Sequence, residues 1–431
     1  MKRHISSASA RLTSSPVRLA RSLRRAALAA PGLCVWLGAS LASANEVTDW
    51  NTKAAAWLEA QAPTEQARSF AIVQVAVHDA LNAIERRYTP YAFKGRAPHA
   101  SAPAAVASAA HDALVALVPA RSAEVDAWYA QQLGAIADCS AKTRGVEVGR
   151  RAAERITALR SSDDVAAALS EPYVDGTEPG AYRATPPDNV VYGAGWGKLP
   201  TFVTADSSAF RPPPPLPPES PAYARDFEEI RRIGVKEGST RTADQSTVAD
   251  FWYESSSTGW MRIANAAVRA HDLDLWQSAR VLGLVGLAIA DGFINGFDAK
   301  YHYDYWRPIT AIRAADSDNN PATEVDPGWT PYCATPPVAD YPSTHSLLGA
   351  AAAAVLRHVF DDDVPFTADS LSLPGVTRQF ESFSQAAREN AESRVYCGIH
   401  WRSSIESGLA QGFRVGQDVV EHALEPVRRR R

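Results

Sequence analysis

Apolar residues recur at three- and four-residue intervals through most of this chain, and alternating apolar–polar runs are scarce. In the first half that period predicts helices over residues 52–60, 64–87, 103–118, 122–138 and 143–159. It resumes over 221–234, and again after Thr242-Ala243-Asp244-Gln245, a capping box opening a helix to residue 252. Residues 274–300 form the most apolar element. Arg280 and Asp291 bound its uncharged run of ten residues, far short of a membrane span, so a central core helix is expected. Another helix is predicted over 346–360. Between 170 and 220 the period stops, because Thr185-Pro186-Pro187 and the run from Arg211 through Pro212, Pro213, Pro214 and Pro215 to Pro218 cannot be helix. The expected fold is all-α: large helical bundles with a Pro-rich irregular connection strapped over the body.

Charge divides the chain further. The first 44 residues hold seven Lys or Arg and no acid, then an apolar stretch from Ala26 to Leu41 and Ala42-Ser43-Ala44. A basic region, a short apolar region and a small-x-small site predict an export signal over 1–44 and a periplasmic or secreted protein. The organisation expected is 1–44 signal, 45–169 N-terminal helical region, 170–220 connection and 221–431 C-terminal helical catalytic domain. The whole chain has 44 basic and 48 acidic residues; without the leader it is 37 against 48, or −11. An acidic body does not suit nucleic acid, and no stable membrane span is expected once the signal is removed. Two His-Asp pairs, His78-Asp79 and His111-Asp112, diverge by about 100° on a helix and read as capping or packing. Residues 316–320 lack the spacing of a calcium loop and read as a polar turn.

The chemistry concentrates in three later stretches. Lys300 and Arg307 are seven apart, about 20° from eclipsed on a helix, and two stacked cations call for an anion between them. Pro308 ends or bends that helix near Arg307. Pro342-Ser343-Thr344-His345 stands at a helix start, where unpaired N–H groups and the dipole favour an anion. Arg394 adds a guanidinium fork. His400, six residues on, can face the same anion only if the helix breaks between them, which Gly398 allows.

Lys300…Arg307-Pro308, then Pro342-Ser343-Thr344-His345, then Ser393-Arg394…His400 resembles the signature of the superfamily joining vanadium-dependent haloperoxidases and type 2 phosphatidic acid phosphatases. The signature spans about a hundred residues, and the surrounding run looks most like the soluble bacterial haloperoxidase-like branch. One position departs: Thr344 stands where the family has Gly. The resemblance implies that Lys300, Arg307, Ser343, Thr344 and Arg394 hold vanadate, with His400 axial to vanadium and His345 the acid–base partner. Its substrates would be hydrogen peroxide and halide. The alternative it implies is a metal-free acid phosphatase, with phosphate in vanadate's place, His400 as nucleophile and a phosphomonoester as substrate. A non-catalytic oxyanion-binding protein is a third reading, disfavoured by the two histidines. In an oxidising compartment, three mature cysteines imply one pair and one free thiol. Cys333 and Cys397 flank the site and are the expected pair, leaving Cys139.

Overall fold

A computed structural model describes residues 45–427; the predicted leader and the arginine tail at 428–431 lie outside the described residues. The chain runs through α1 (Glu46–Leu58), α2 (Pro63–Ile84), α3 (Ala102–Leu117), α4 (Ser122–Gly134), α5 (Ser140–Arg160) and α6 (Val165–Ser170). After an irregular stretch come α7 (Pro221–Ile233), α8 (Ala243–Phe251), α9 (Ser256–Ala270), α10 (Leu275–Tyr303) and α11 (Pro308–Arg313). A loop leads to α12 (Thr344–Phe360), the hairpin β1 (Phe366–Asp369) and β2 (Thr377–Phe380), then α13 (Phe383–Tyr396) and α14 (Arg402–His422). The hairpin is antiparallel, with Phe366 opposite Phe380. With 58% of the chain helical and two four-residue strands among the described residues, the fold is all-α.

α10 is the axis of the fold. Asp274 and Gln277 close a capping box at its start, and Asp304 ends it in the left-handed conformation at φ 51°. By length and hydropathy it could cross a membrane, yet 94% of its apolar window is buried in the protein. Its side chains belong to one hydrophobic cluster that runs from Val47 in α1 to Leu424 beyond α14. α9 was missed by periodicity. Its start, Ser256-Ser257-Thr258-Gly259, reads as a loop by turn chemistry, but burial of Trp260, Met261, Ile263 and Val268 makes it a core helix.

α12 and α14 approach closely because Gly408, Gly412 and Gly416 recur every fourth residue on α14. A Cβ at these positions would stand 2.3, 2.1 and 2.4 Å from the carbonyls of Ser343, Leu347 and Ala351. No larger residue fits that seam, so α14 supports the N-terminal turn of α12 directly.

The irregular connection is tied down at both ends. Buried Asp291 of α10 accepts three successive backbone N–H groups, from Phe202, Val203 and Thr204, at 2.5 to 2.8 Å. The proline run makes no internal hydrogen bonds, so its carbonyls are open to outside donors. Tyr303 donates to Pro212 O, Tyr305 to Leu216 O at 2.7 Å and Tyr341 to Pro213 O at 2.7 Å. The tyrosines around the basic signature therefore fasten the strap. Tyr305 and Trp306 lie in a separate aromatic cluster with Tyr223 and Trp401.

Candidate active site

The carboxyl end of α10 delivers Lys300 to the interior. Arg307, however, does not share a helix face with it as the seven-residue spacing predicted. The left-handed Asp304 stops the helix three residues before Arg307, which becomes the extended N-cap of α11. The two cations converge through this turn instead.

Lys300 is fully buried, and its Nζ donates to the carbonyls of Ala339, Asp340 and Pro342 at 2.7, 2.9 and 2.8 Å. An ammonium has three protons, so all are engaged. It gathers the loop that feeds α12, and any contact from Lys300 to an oxyanion would exchange one of these bonds. Burial first, then Arg307 and Arg394, hold its pKa well below the ordinary value against the pull of Asp340.

Ser343 is the N-cap of α12, which begins at Thr344, two residues earlier than periodicity placed it. Its Oγ accepts from Ser346 N at 3.4 Å and Ser346 Oγ at 2.9 Å, so its acceptor lone pairs are taken within the helix start and its own O–H remains to donate. The side chain of Thr344 leans toward α10, where Gly296 leaves room. A Cβ at Gly296 would meet the Thr344 methyl at 2.5 Å. A glycine on the facing helix thus accommodates the residue that departs from the motif.

Gly398, at φ 77°, turns the chain after α13 and lets His400 come back toward Arg394. A Cβ there would stand 2.3 Å from Gly234 O, so conformation and space both demand glycine. The Cys333–Cys397 disulfide, with Cα atoms 4.9 Å apart, ties this turn to the loop ahead of α12. Cys139 is free and exposed.

Arg307, Thr344, His345, Arg394 and His400 border one cavity of about 500 Å³. The guanidinium of Arg307 gives Nε to Val338 O at 2.7 Å and Nη1 to Ile399 O at 2.6 Å, while Nη2 finds no partner in the chain. Nε and Nη1 of Arg394 and Nε2 of His345 are equally buried and equally unpartnered. An unmet buried guanidinium donor costs a few kcal/mol, and several meeting at one cavity signal a ligand rich in oxygen acceptors. Burial lowers the Arg394 pKa to about 10, with Arg307 adding to the effect.

Both imidazoles are neutral. His345 is held well below its usual range by burial and then by Arg394, and its Nδ1 lies 2.8 Å from Ser256 Oγ at the start of α9. His400 is lowered by burial and then by Arg307, Lys300 and Arg394. Its Nδ1 lies 2.9 Å from Asp340 Oδ1, and its Nε2 is 3.1 Å from Arg307 Nη1.

Asp340 and Ser256 were not singled out in the sequence. Asp340 is fully buried, takes a short hydrogen bond from Ser404 Oγ, and stands 3.8 Å from Arg307. Burial pushes its carboxyl up to about 7 against Arg307 and Lys300, which pull it down. A signal for it existed: no other Asp, Glu, Lys or Arg occurs between Asp326 and Arg357. Ser256 sits in a serine-rich run that gave no such signal.

Residues 280–429 match the family model described as the VCPO second helical-bundle domain. Vanadium chloroperoxidase of Curvularia inaequalis is 26% identical over a region covering 32% of this chain and 29% of that enzyme's length. A non-specific acid phosphatase of Salmonella typhimurium is 24% identical over 48% of this chain and 70% of the phosphatase. Among solved structures, a bacterial vanadium-dependent iodoperoxidase superposes with a TM-score of 0.78 at 27% identity. That match covers 89% of this chain and 98% of the iodoperoxidase. A bacterial vanadium-dependent chloroperoxidase shares the fold with a TM-score of 0.71 at 18% identity, over 84% of this chain and 93% of the other.

Proposed function

We propose, for a chain that belongs to the superfamily joining vanadium haloperoxidases with acid phosphatases, that it is a vanadate-dependent haloperoxidase oxidising halide with hydrogen peroxide. The observation that carries this reading is the set of unpartnered guanidinium donors on Arg307 and Arg394 beside two neutral imidazoles. The likeness to an iodoperoxidase over nearly the whole of both chains favours peroxidase chemistry over hydrolysis.

The residues fit vanadate. Arg307 and Arg394 would hold its oxygens, helped by the N-terminal turn of α12 at Thr344, and His400 would be its histidine ligand. Vanadate supplies Lewis acidity toward peroxide when bound. The Asp340 carboxyl, with Oδ1 2.9 Å from His400 Nδ1, favours the proton on that nitrogen and the lone pair on Nε2. His345, neutral and steadied through Nδ1 by Ser256, can take a proton at Nε2 from arriving peroxide and return it to the departing oxygen. Burial first, and then the Arg394 guanidinium, favour the unprotonated form of His345.

A second reading, an acid phosphatase acting through His400 as nucleophile, is favoured by the alignment over 70% of the Salmonella phosphatase. The same donors would neutralise phosphate, and His345 would protonate the leaving alcohol. The Cys333–Cys397 bridge supports a periplasmic or secreted enzyme, since disulfides persist in oxidising compartments.

The deciding assay uses purified protein with and without vanadate, offered peroxide with iodide or bromide and, separately, a phosphomonoester. Halide oxidation that appears only with vanadate is the expected result. Hydrolysis without halide oxidation, inhibited by added vanadate, would transfer the assignment to the phosphatase reading.

A further inference from the structure

We propose that Gln66, in the first turn of α2, is a positioning residue for His345 and acts through the serines that open α9. This rests on the reading of His345 as the acid–base partner. Among the described residues, one side chain is bonded to this imidazole: Ser256, whose Oγ lies 2.8 Å from Nδ1. The other ring nitrogen, Nε2, is buried without a partner. A hydroxyl can accept from an N–H or donate to a bare ring nitrogen. Ser256 therefore suits a histidine that gains and loses a proton at Nε2. Where its hydroxyl stands decides how the ring is held.

Ser256 is the first residue of α9, and the hydroxyls on either side of it both turn to α2. Ser255 is the N-cap, yet its side chain caps no N–H of its own helix. A serine in that place ordinarily accepts from the second or third N–H and steadies the helix start. Here Ser255 Oγ instead donates to Gln66 Oε1 at 2.6 Å. Ser257 Oγ donates to the carbonyl of Pro63, the first residue of α2, at 2.9 Å. The three ties from Ser255, Ser256 and Ser257 span 189, 89 and 194 residues, so the run is a bracket between distant elements rather than a local cap. Its outer hydroxyls hold α2, and its middle one holds His345 on α12.

Gln66 anchors the bracket. It is buried, and its amide is engaged at both ends. Oε1 accepts from Thr258 Oγ1 at 3.3 Å as well as from Ser255, while Nε2 donates to Glu59 O at 3.3 Å and Gln61 O at 3.0 Å. Two acceptor bonds and two donor bonds use the full capacity of the group. A buried amide so engaged cannot turn without breaking several bonds at once. Through Ser255 it fixes the backbone from which Ser256 reaches the imidazole. A small displacement of that backbone carries Ser256 Oγ with it, and rates fall steeply when a catalytic group is misplaced by a distant change.

The test compares wild type, Gln66→Met and Ser255→Ala, each also in a Ser256→Ala background. Protein labelled with 15N-histidine gives the His345 signals, assigned by their loss in His345→Ala. Gln66→Met is expected to lower kcat by about 10- to 100-fold and Ser255→Ala by about fivefold, for whichever of halide oxidation or ester hydrolysis the enzyme performs. KM and vanadate affinity should stay within about twofold. In vanadate-free protein both substitutions should shift the imidazole nitrogens of His345 and leave those of His400. In the Ser256→Ala background either substitution should cost less than about twofold more, because the route through Ser256 is already cut. Ser255→Ala, which leaves Gln66 in place, carries the same comparisons if Gln66→Met does not fold. An undiminished further loss in the Ser256→Ala background would overturn the proposal, as would unmoved His345 signals in both variants, since either makes Gln66 a brace of the fold alone. If the signals move while turnover holds, the positioning of His345 by Gln66 stands and the acid–base reading of His345 fails.

Discussion

Replacing Asp340 with Asn should make the protein more stable at alkaline pH and a poorer catalyst. The carboxyl lies 3.8 Å from Arg307 Nη1, an attraction of about 4 kcal/mol at an effective dielectric of about 20. Burial opposes it and wins, because the pKa stands at about 7 rather than 3.8. That difference corresponds to about 4 kcal/mol spent on keeping the group ionised in the fold. The sign follows from the raised value. The folded state binds the proton more tightly than the unfolded chain, so the group's contribution is fully present below pH 3.8 and lost as pH rises through 7. Asn has the shape and charge of the protonated acid and escapes this loss. Denaturant unfolding at pH 4.5 and pH 8 should show an advantage for Asp340→Asn that grows with pH, toward about 4 kcal/mol as an upper bound. The catalytic cost arises at His400, whose Nδ1 loses a carboxylate neighbour 2.9 Å away. Turnover should fall by about 10- to 100-fold, the scale for carboxylates that orient a liganding histidine. A variant less stable than wild type at pH 8, or one with undiminished turnover, would refute the reasoning.

The histidines should separate by assay. His400→Ala is expected to weaken but not abolish vanadate binding and to collapse turnover. His345→Ala should leave binding nearly intact while costing about 10² to 10⁴ in rate; titration and initial rates check both. Cys397→Ser opens a link between residues 64 apart and should cost up to about 4 kcal/mol in denaturant unfolding by chain entropy. Gly296→Ala should destabilise by about 1 to 3 kcal/mol through collision with the Thr344 methyl. Adding Thr344→Gly should recover most of that loss, and a double-mutant cycle with no coupling would reject the contact.

Spacing along the chain placed α2 to α5, α7, α8, α10 and α12, though not α9, α13 or α14, because burying an apolar face every 3.6 residues is a local demand that the sequence records directly. The order Lys300…Arg307, Ser343-Thr344-His345, Arg394…His400 carried the resemblance to the superfamily, and through it the expectation of an oxyanion site. Gly398 could be read as a helix breaker because a positive φ is a local requirement. What the sequence could not decide is how each cation is used. Lys300 and Arg307 seemed to share a helix face; the left-handed Asp304 parts them, and three carbonyls from residues 339–342 engage Lys300. The pairing of Asp340 with His400, the support of His345 by Ser256, and the room Gly296 gives Thr344 join residues 60, 89 and 48 positions apart. No local period encodes such contacts. They exist only when α10, α12 and α14 close around one another, and burial then turns an isolated aspartate and an ordinary serine into parts of the site.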